Sequence, residues 1–245
     1  MLVPALANPI SPGGRIGGVL FDLDGTLYDQ GRMRARMAAE LLGLPLSRPL
    51  DARRVWKGLR AYRRAQEQLR TTPGSGSVSR AQLEHAAAST GVSAEVLAPM
   101  VQEWMLERPL KHMRACRASG LTELLTFLGR SGAAIGLLSD YPADAKLRAL
   151  GVAEHFTLVL SAADPEVNAF KPDPGGFLAA ARRWQLAPAE VLVVGDRMDV
   201  DAAGAAAAGM PCVIVSRSAR AAGVRDGVMV VDSLERLHRV LDGQR

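Results

Sequence analysis

Residues 18–27 read GVLFDLDGTL: an apolar run, typical of a buried β-strand, that ends in two aspartates separated by one leucine. Alternate residues of a strand project to the same side, so we expect Asp22 and Asp24 to meet at its carboxyl end. Two carboxylates in one small volume repel each other unless a cation or a shared proton lies between them. The alternative, that one aspartate only caps a following helix, requires neither the second carboxylate nor the strand. The stretch therefore predicts a cation site, where Gly25 allows a sharp turn and Thr26 offers a hydroxyl and an amide.

The composition is that of an ordinary globular protein. The chain has 245 residues, 48% hydrophobic and 22% charged, which is enough for one large core and fits no fibrous or disordered class. Residues 1–16 contain no basic start and no continuous apolar run, so we expect neither a secretory signal nor a membrane span. Two cysteines are too few for a disulfide framework, and we expect Cys116 and Cys212 to be buried and reduced in a cytoplasmic protein.

Positive charge is concentrated in one part of the chain. Residues 32–70 contain eleven basic and three acidic side chains, whereas the whole chain has a formal charge of +5. Two interpretations remain open: a solvated face of an amphipathic helix, or a surface that attracts an anionic ligand. No nucleic-acid partner is expected, because aromatic residues make up only 4% of the chain and no recognition motif accompanies the charge.

Residues 30–112 are predicted to be helical throughout. Met33, Met37 and Leu41 recur at every fourth position, and residues 53–70 form a second amphipathic stretch. We expect a helical segment inserted after the opening strand.

Serine signals predict where further helices of this segment begin. Ser79 and Gln82 have the spacing of a capping box, and Ser93 can begin a helix that runs toward Arg108. A loop is expected before them, at residues 71–77, because they read TTPGSGS.

After residue 121 the pattern alternates between helix and strand. Strands are predicted at 133–138, 156–160, 191–194, 212–215 and 228–231. Their apolar residues are continuous, which is typical of parallel strands covered on both faces. The predicted fold class is α/β, with a doubly wound parallel sheet built from residues 1–29 and 113–245 and an all-helical domain, residues 30–112, inserted between them.

Polar residues follow these strands at the edge where parallel sheets bind ligands. Ser139 and Asp140 follow one predicted strand, and Asp196, Asp199 and Asp201 follow another. Oxygen ligands with no histidine or cysteine nearby in sequence favour Mg²⁺ over zinc.

A lysine completes the set. Lys171 precedes Pro172 and Pro174, so we expect a stiff loop that brings a fixed positive charge. The hydroxyl of Ser139 can donate to an anionic oxygen, and an anion is therefore expected beside the cation.

Four segments resemble, in order and spacing, the four motifs of the haloacid dehalogenase superfamily. They are DLDGT at 22–26, LS at 138–139, KPDP at 171–174 and GDRMDVD at 195–201. The resemblance covers about residues 19–215. It implies a Rossmann-like core, and residues 30–112 resemble the helical cap of subfamily I, as in phosphoglycolate phosphatases.

The resemblance also implies catalytic roles. Asp22 is expected to be the nucleophile that forms an aspartyl-phosphate, and Asp24 the acid that protonates the leaving oxygen and then activates water. Ser139 and Lys171 are expected to hold the phosphoryl oxygens, with Thr26 beside them.

The same resemblance implies a Mg²⁺ site. Its expected ligands are the carboxylates of Asp22 and Asp196 and the backbone carbonyl of Asp24. Asp201 is expected to complete or orient this site, directly or through water.

Two positions depart from the family pattern. Asp140 stands where a neutral residue often follows the serine, and it is expected either to contact the phosphate group or substrate or to cap the next helix. Arg197 replaces the more usual serine or threonine. Asp199 is expected to be a solvated or capping carboxylate.

The function expected from the resemblance is Mg²⁺-dependent hydrolysis of small phosphomonoesters. Asp24 separates this chain from the dehalogenase branch, which usually lacks that aspartate, and Thr26 from phosphomutases, which tend to carry valine there. A different alternative is a catalytically weak protein that binds an anionic partner through its basic helices. Candidate substrate contacts in those helices are Arg32, Arg36, Arg60 and Arg64.

Overall fold

The computed structural model describes residues 6–7, 15–43, 49–71, 76–217 and 223–243. The strands in these ranges are β1 (Leu6–Ala7), β2 (Arg15–Ile16), β3 (Gly18–Phe21), β4 (Ala134–Ser139), β5 (Leu158–Ser161), β6 (Val191–Gly195), β7 (Cys212–Val215), β8 (Gly223–Arg225) and β9 (Val228–Val231). The α-helices are α1 (Gln30–Leu42), α2 (Pro49–Thr71), α3 (Val78–Thr90), α4 (Ala94–Val101), α5 (Met113–Cys116), α6 (Leu121–Arg130), α7 (Asp144–Leu150), α8 (Gly175–Trp184), α9 (Ala203–Ala207) and α10 (Leu234–Leu241).

The main sheet has seven strands in the order β5-β4-β3-β6-β7-β9-β8. The chain builds outward from β3 to β5, returns to the other side of β3 with β6, and continues to β7 and β9, with all these strands parallel. The predicted α/β fold with a doubly wound sheet is confirmed.

The edge strand β8 was not predicted, and it pairs antiparallel with β9. Asp226 and Gly227 join them with positive φ angles of 50° and 76°, which an Asp-Gly hairpin turn requires.

Both faces of the sheet are covered, which explains why its strands are continuously apolar. In β3, Val19 and Phe21 pack into a core cluster that includes residues of α6 and α10. Leu20 faces the other way and packs with Phe177 of α8. Because neighbouring residues of a strand alternate between faces, every residue of β3 has to be apolar.

The helical segment forms a core of its own. The core contains Tyr62, Ala65, Ala86, Leu97 and Val101, from α2, α3 and α4. In the described residues from 30 to 112 the structure has helices and turns but no strand, as predicted. The division into a core and a cap domain stays a prediction. None of the helices in the described ranges combines the length and the apolar character that crossing a bilayer demands.

Two helix boundaries in this segment differ from the prediction. The capping box at Ser79 is wrong: α3 has Ser77 at its N-cap, and Gln82 is buried, where its amide donates to Tyr62 O at 2.9 Å and Tyr141 Oη at 2.8 Å. The helix that follows Ser93 does not continue as α-helix to Arg108, because residues Gln102–Glu107 form a π-helix.

The remaining differences concern the ends of the predicted elements. Thr71 belongs to α2 rather than to the predicted loop at 71–77, of which residues 72–75 lie outside the described ranges. Cys116 and Cys212 are buried free thiols, as predicted. A cytoplasmic location stays a prediction.

Candidate active site

Three neighbouring strands deliver the polar residues to one edge of the sheet. Asp22 directly follows β3, Ser139 ends β4, and Asp196 directly follows β6. The central β3 lies between β4 and β6, and the backbone N–H of Asp22 continues the ladder by donating to Val194 O at 2.8 Å. The carboxyl ends of these strands coincide because all three run parallel, so residues far apart in sequence become neighbours.

A cluster of three carboxylates and one ammonium group forms the centre of this edge. Asp22, Asp196 and Asp201 each place a carboxylate oxygen within 4.8 Å of the other two. Lys171 Nζ donates to Asp22 Oδ1 at 2.5 Å and to Asp201 Oδ1 at 2.6 Å. Thr26 Oγ1 donates to the other oxygen, Asp22 Oδ2, at 3.1 Å. The sequence-predicted residues from the first, third and fourth segments therefore meet in one place.

Asp201 uses both of its oxygens within the protein. While Oδ1 accepts from Lys171, Oδ2 accepts from the backbone N–H groups of Asp196 and Arg197, each at 3.1 Å. Asp201 is almost fully buried, at 1% exposed. These contacts hold the loop after β6 in shape, and they favour an orienting role for Asp201 over direct ligation.

Two glycines permit the close approach of the loops that form the cluster. Gly25 has φ of +103°, and a Cβ added there would overlap the carboxylate of Asp196. A Cβ added at Gly195 would overlap the side chain of Asp201. Both positions require glycine because the backbone lies so close to a carboxylate that no Cβ atom fits between them.

The electrostatics of the cluster show a shortage of positive charge. Burial raises the pKa of Asp22 well above its usual value, against the attraction of Lys171, and the nearby Asp201 and Asp196 raise it further. Burial and Asp201 raise the pKa of Asp196 to about 6. One lysine cannot neutralise three carboxylates. Hard oxygen donors with surplus negative charge are the ligand set that Mg²⁺ prefers, so these residues fit that ion.

Asp24 lines the same cavity as Asp22, but it is not among the three carboxylates of the cluster. Asp24 Oδ1 accepts from Tyr28 Oη at 2.5 Å and from Lys146 Nζ at 2.9 Å. Burial opposes ionisation, but Lys146 and the hydrogen bond from Tyr28 lower the pKa of Asp24 below its usual value. Because β3 ends at Phe21, both aspartates belong to the segment that follows the strand, where Asp22 contacts Lys171 and Asp24 contacts Lys146.

Lys146 is a site residue that the sequence interpretation missed. It is 5% exposed, which is rare for a lysine without a carboxylate partner. The signal was in the sequence of α7 and its N-cap, because Lys146 shares the spacing of the buried residues Ala143, Leu147 and Leu150. A lysine in an apolar stripe predicts a buried charge with a partner.

Asp140 contacts the helical segment. Its Oδ2 accepts from Arg70 Nη2 at 2.6 Å and from Gln66 Nε2 at 2.9 Å, and its Oδ1 accepts from the backbone N–H of Lys171 at 3.3 Å. Arg70 also donates to the carbonyl of Lys171. The expectation that Asp140 caps the next helix was wrong, because Ala143 is at the N-cap of α7. A contact between Asp140 and a phosphate group stays a prediction.

Arg197 makes a second contact with α2. Its guanidinium pairs with Asp199 at 2.6 Å and with Glu67 at 3.1 Å. Asp199 is largely exposed, and the hydrogen bond from Arg197 lowers its pKa.

Ser139 is buried and lines the same cavity as the acidic cluster, where its Oγ accepts from the backbone N–H of Tyr141 at 3.3 Å.

Two cavities meet at Asp24. The smaller, of about 190 Å³, contains the acidic cluster with Ser139 and Lys171. The larger, of about 1060 Å³, lies against α1 and α2 and shares Asp24, Arg34 and Arg63 with the lining of the smaller. Asp24 belongs to the walls of both.

The helical arginines divide into two groups at these cavities. Of the four candidates from the sequence, Arg60 and Arg64 line the larger cavity. Arg32 is instead exposed on α1, where its Nε lies 3.8 Å from Asp29 Oδ2. Arg36 is exposed on the same helix. Two lining arginines, Arg34 and Arg63, were missed because helical periodicity does not tell which polar face turns toward a cavity.

Comparison with known proteins agrees with this arrangement. The chain is 30% identical to N-acetylmuramic acid 6-phosphate phosphatase of Pseudomonas aeruginosa over 192 residues, 74% of each chain. It is 40% identical to phosphoserine phosphatase of Thermus thermophilus over 94 residues, so this match spans only 37% of that relative and 37% of the chain. The solved structure of L-2-haloacid dehalogenase from Xanthobacter autotrophicus superposes with a TM-score of 0.65 at 21% identity, over 94% of this chain and all of that one, which shows the shared fold.

The family comparison extends over most of the site. The sequence pattern of the haloacid dehalogenase-like hydrolases matches residues 16–209, which include every residue of the acidic cluster. With the doubly wound sheet and the four segments at its edge, the chain belongs to the haloacid dehalogenase-like hydrolase family.

Proposed function

We propose that this protein is a Mg²⁺-dependent phosphatase that hydrolyses small phosphomonoesters through an aspartyl-phosphate intermediate. The observation that carries the proposal is the position of Lys171, which contacts Asp22 Oδ1 at 2.5 Å inside a cluster of carboxylates. A nucleophilic carboxylate that approaches a phosphate dianion needs fixed positive charge beside it. The names of the two relatives support the proposal, since both are phosphatases.

The first step would take place in the smaller cavity. A carboxylate oxygen of Asp22 attacks phosphorus, the new O–P bond forms, and the bond from phosphorus to the alcohol oxygen breaks. Lys171 and Ser139 hold the non-bridging oxygens, and Thr26 keeps the other oxygen of Asp22 in place. Bound Mg²⁺, held by Asp22, Asp196 and the backbone carbonyl of Asp24, would supply further positive charge to the phosphoryl group.

Asp24 is placed to serve the leaving oxygen. It lies between the cavity of the acidic cluster and the cavity that would receive the alcohol, which is where a proton donor for that oxygen is needed. In the second step Asp24 takes a proton from water as the water attacks phosphorus, which releases phosphate and regenerates Asp22. Lys146 and Tyr28 hold the carboxyl group of Asp24 in its position, and the ionised form that they favour is the one that takes the proton from water in the second step.

We propose that residues 30–112 act as a cap that closes over this site, with residues 1–29 and 113–245 as the catalytic core. Support comes from the separate core of the helical segment and from its polar contacts with the site. Gln66, Glu67 and Arg70 of α2 reach Asp140 and Arg197 on the opposite side. The cap would exclude water from the phosphoryl group and select the alcohol.

The test is phosphate release from a panel of phosphomonoesters, with Mg²⁺ and with EDTA. We expect release that EDTA abolishes and added Mg²⁺ restores. The same assay on 2-chloropropionate, read as chloride release, tests the dehalogenase alternative, and we expect none. If no member of the panel releases phosphate, or if release persists in EDTA, the proposal fails.

Salt-dependent binding to a polyanion tests the alternative of a regulatory protein. That alternative requires phosphate release near background together with tight binding through the basic helices. We expect instead that added polyanion at most competes with the substrate, because Arg60 and Arg64 line the larger cavity.

A further inference from the structure

The larger cavity extends from Asp24 along one face of α2. Trp56, Arg60, Arg63 and Glu67 line it, and their spacing of three or four residues places them on one side of the helix. The eleven helical steps from Trp56 to Glu67 correspond to about 16 Å at the rise of an α-helix. The cavity is therefore an elongated space with the proposed acid at one end and the exposed indole of Trp56 toward the other.

The size of this space exceeds what a short alcohol would fill. It measures about 1060 Å³, and the phosphoryl group itself would occupy the separate cavity of about 190 Å³. Pockets of about 300–1,000 Å³ enclose ligands of drug size. A two-carbon or three-carbon alcohol would leave most of the larger cavity to water, so its volume favours a longer leaving group.

Part of the wall of the cavity is apolar. Met33 and Met37 of α1 and Leu59 of α2 line it together with Trp104 and Met105 from the π-helix. Apolar walls favour a leaving group with a hydrocarbon chain or ring, since burying such surface gains about 25 cal/mol per Å². A highly hydroxylated alcohol would lose hydrogen bonds to water in this part of the cavity.

The arginines of the wall are in excess over its acidic residues. Asp24 is already paired with Lys146, and Glu67 is paired with Arg70 and Arg197. Within the described wall, no carboxylate is left to neutralise the lining arginines, which are Arg34, Arg60, Arg63 and Arg64. Arg60 is held 5.1 Å above the ring of Trp56, so a positive charge is fixed at the distal part of the cavity.

We propose that the substrates of this enzyme are phosphomonoesters whose alcohol has an apolar body longer than three carbon atoms and a second anionic group at its far end. The inference rests on the phosphatase function proposed above and names the substrate class of that site. The phosphate ester lies at Asp22, the apolar body lies between α1 and α2, and the distal anion, a carboxylate or a second phosphate, pairs with Arg60 and Arg64, which line the larger cavity but not the smaller one.

Four synthetic phosphates test the inference on the purified protein with Mg²⁺: hexyl phosphate, 6-phosphooxyhexanoate, 1,6-hexanediol bisphosphate and 2-phosphoglycolate. We expect one of the two long anionic compounds to exceed hexyl phosphate in kcat/KM by about tenfold or more, because a charge-assisted contact contributes about that much. The difference should appear as a lower KM rather than as a higher kcat. The better of the two tells whether the distal group is a carboxylate or a phosphate. If hexyl phosphate equals both, or if 2-phosphoglycolate is the best substrate, the inference is overturned.

A matched pair of variants tests the location. Arg60→Gln/Arg64→Gln is expected to reduce the ratio of kcat/KM between the long anionic compound and hexyl phosphate by about tenfold. Arg36→Gln, at an exposed arginine of α1, is expected to keep the wild-type ratio. If the first variant keeps the wild-type ratio, the distal anion does not lie at these arginines and the inference is wrong.

Binding to the Asp22→Asn variant separates this inference from the proposed function. Calorimetry with the same four compounds measures affinity without turnover, and we expect the order of affinities to follow the order of kcat/KM in the wild type. If the wild type releases no phosphate from the four compounds or from p-nitrophenyl phosphate, the phosphatase proposal fails. The anion preference then stands only if the calorimetry shows it, and it falls if all four bind equally.

Discussion

Lys171 Nζ lies 2.5 Å from Asp22 Oδ1, although 149 residues separate the two in the chain. The same ammonium group contacts Asp201, so one buried cation holds two buried anions. Burial disfavours the charge on Lys171, but the carboxylates raise its pKa above the usual value. The two contacts of Lys171 join the first, third and fourth segments of the site.

Lys171→Met leaves three buried carboxylates without a cation. We expect a loss of about 3–5 kcal/mol in the free energy of unfolding, measured with urea in the absence of Mg²⁺. The matched control is Lys57→Met, at an exposed lysine that donates to Thr90 O, where we expect a change within about 0.5 kcal/mol. Equal losses in both variants would show that Lys171 does not stabilise the buried carboxylates.

Asp22→Asn removes the proposed nucleophile. We expect phosphate release to fall by about 10³-fold or more. Thermal unfolding without Mg²⁺ should occur at the same temperature or a higher one, because the substitution removes one of three mutually repelling carboxylates. Asp232→Asn, on the surface before α10, should change neither quantity. Substantial residual activity in the first variant would exclude Asp22 as the nucleophile.

Gly25→Ala places a methyl group against the carboxylate of Asp196. We expect the Mg²⁺ concentration for half-maximal activity to rise by about tenfold or more, because Asp196 has to move. Gly91→Ala is the control, since Gly91 also has positive φ, +69°, but has no atom within 4 Å of an added Cβ. It should cost about 1 kcal/mol in stability and leave the Mg²⁺ dependence unchanged. The same Mg²⁺ dependence in both variants would contradict the proposed role of Asp196.

Arg70 and Asp140 are expected to be energetically coupled across the contact between α2 and the core. Both side chains are largely buried and approach to 2.6 Å. In a double-mutant cycle of Arg70→Met and Asp140→Asn, unfolding by urea should give a coupling energy of about 1–3 kcal/mol. Additive effects would show that this pair does not join the helical segment to the core.

Glu40→Gln is expected to reduce stability only above the acidic range. Burial raises the pKa of Glu40, but hydrogen bonds from Lys111 and His112 lower it below the usual value. The pairing therefore stabilises the fold when the pH is above the ordinary pKa of glutamate, and the contribution disappears as the pH falls through the lowered value. Urea unfolding from pH 7 to about pH 3 should show a difference of about 1 kcal/mol that vanishes in acid.

A control on α3 completes this test. Glu84 pairs with Arg80 at 2.7 Å on an exposed helix face. Glu84→Gln should change stability by less than about 0.5 kcal/mol at every pH, because exposed pairs are screened. A difference at Glu40 that persists at low pH would mean that the carboxylate acts through packing rather than through its charge.

Much of the fold could be predicted from local pattern. The strand before Asp22 and the strand before Asp196 could be predicted because strands buried on both faces are continuously apolar. The helices could be predicted because their apolar residues recur every three or four positions. The hairpin of β8 and β9 was missed although its Asp-Gly turn is a local signal. The N-cap of α3 was misplaced because Gln82 serves a tertiary contact with Tyr62 and Tyr141 rather than the helix end.

Local pattern was enough to assign the chemistry of the site, namely Asp22 and Asp196 after two apolar strands and Lys171 before two prolines. The contacts of the other carboxylates became known only from the way the helices pack against the sheet. Asp24 turned to Lys146 and Asp140 to Arg70, because a buried charge pairs with whichever opposite charge the packing brings within hydrogen-bond distance. Lys146 and Arg70 lie on helices far from Asp24 and Asp140 in the sequence, and the spacing of apolar residues within one helix does not show which residues of another element it contacts.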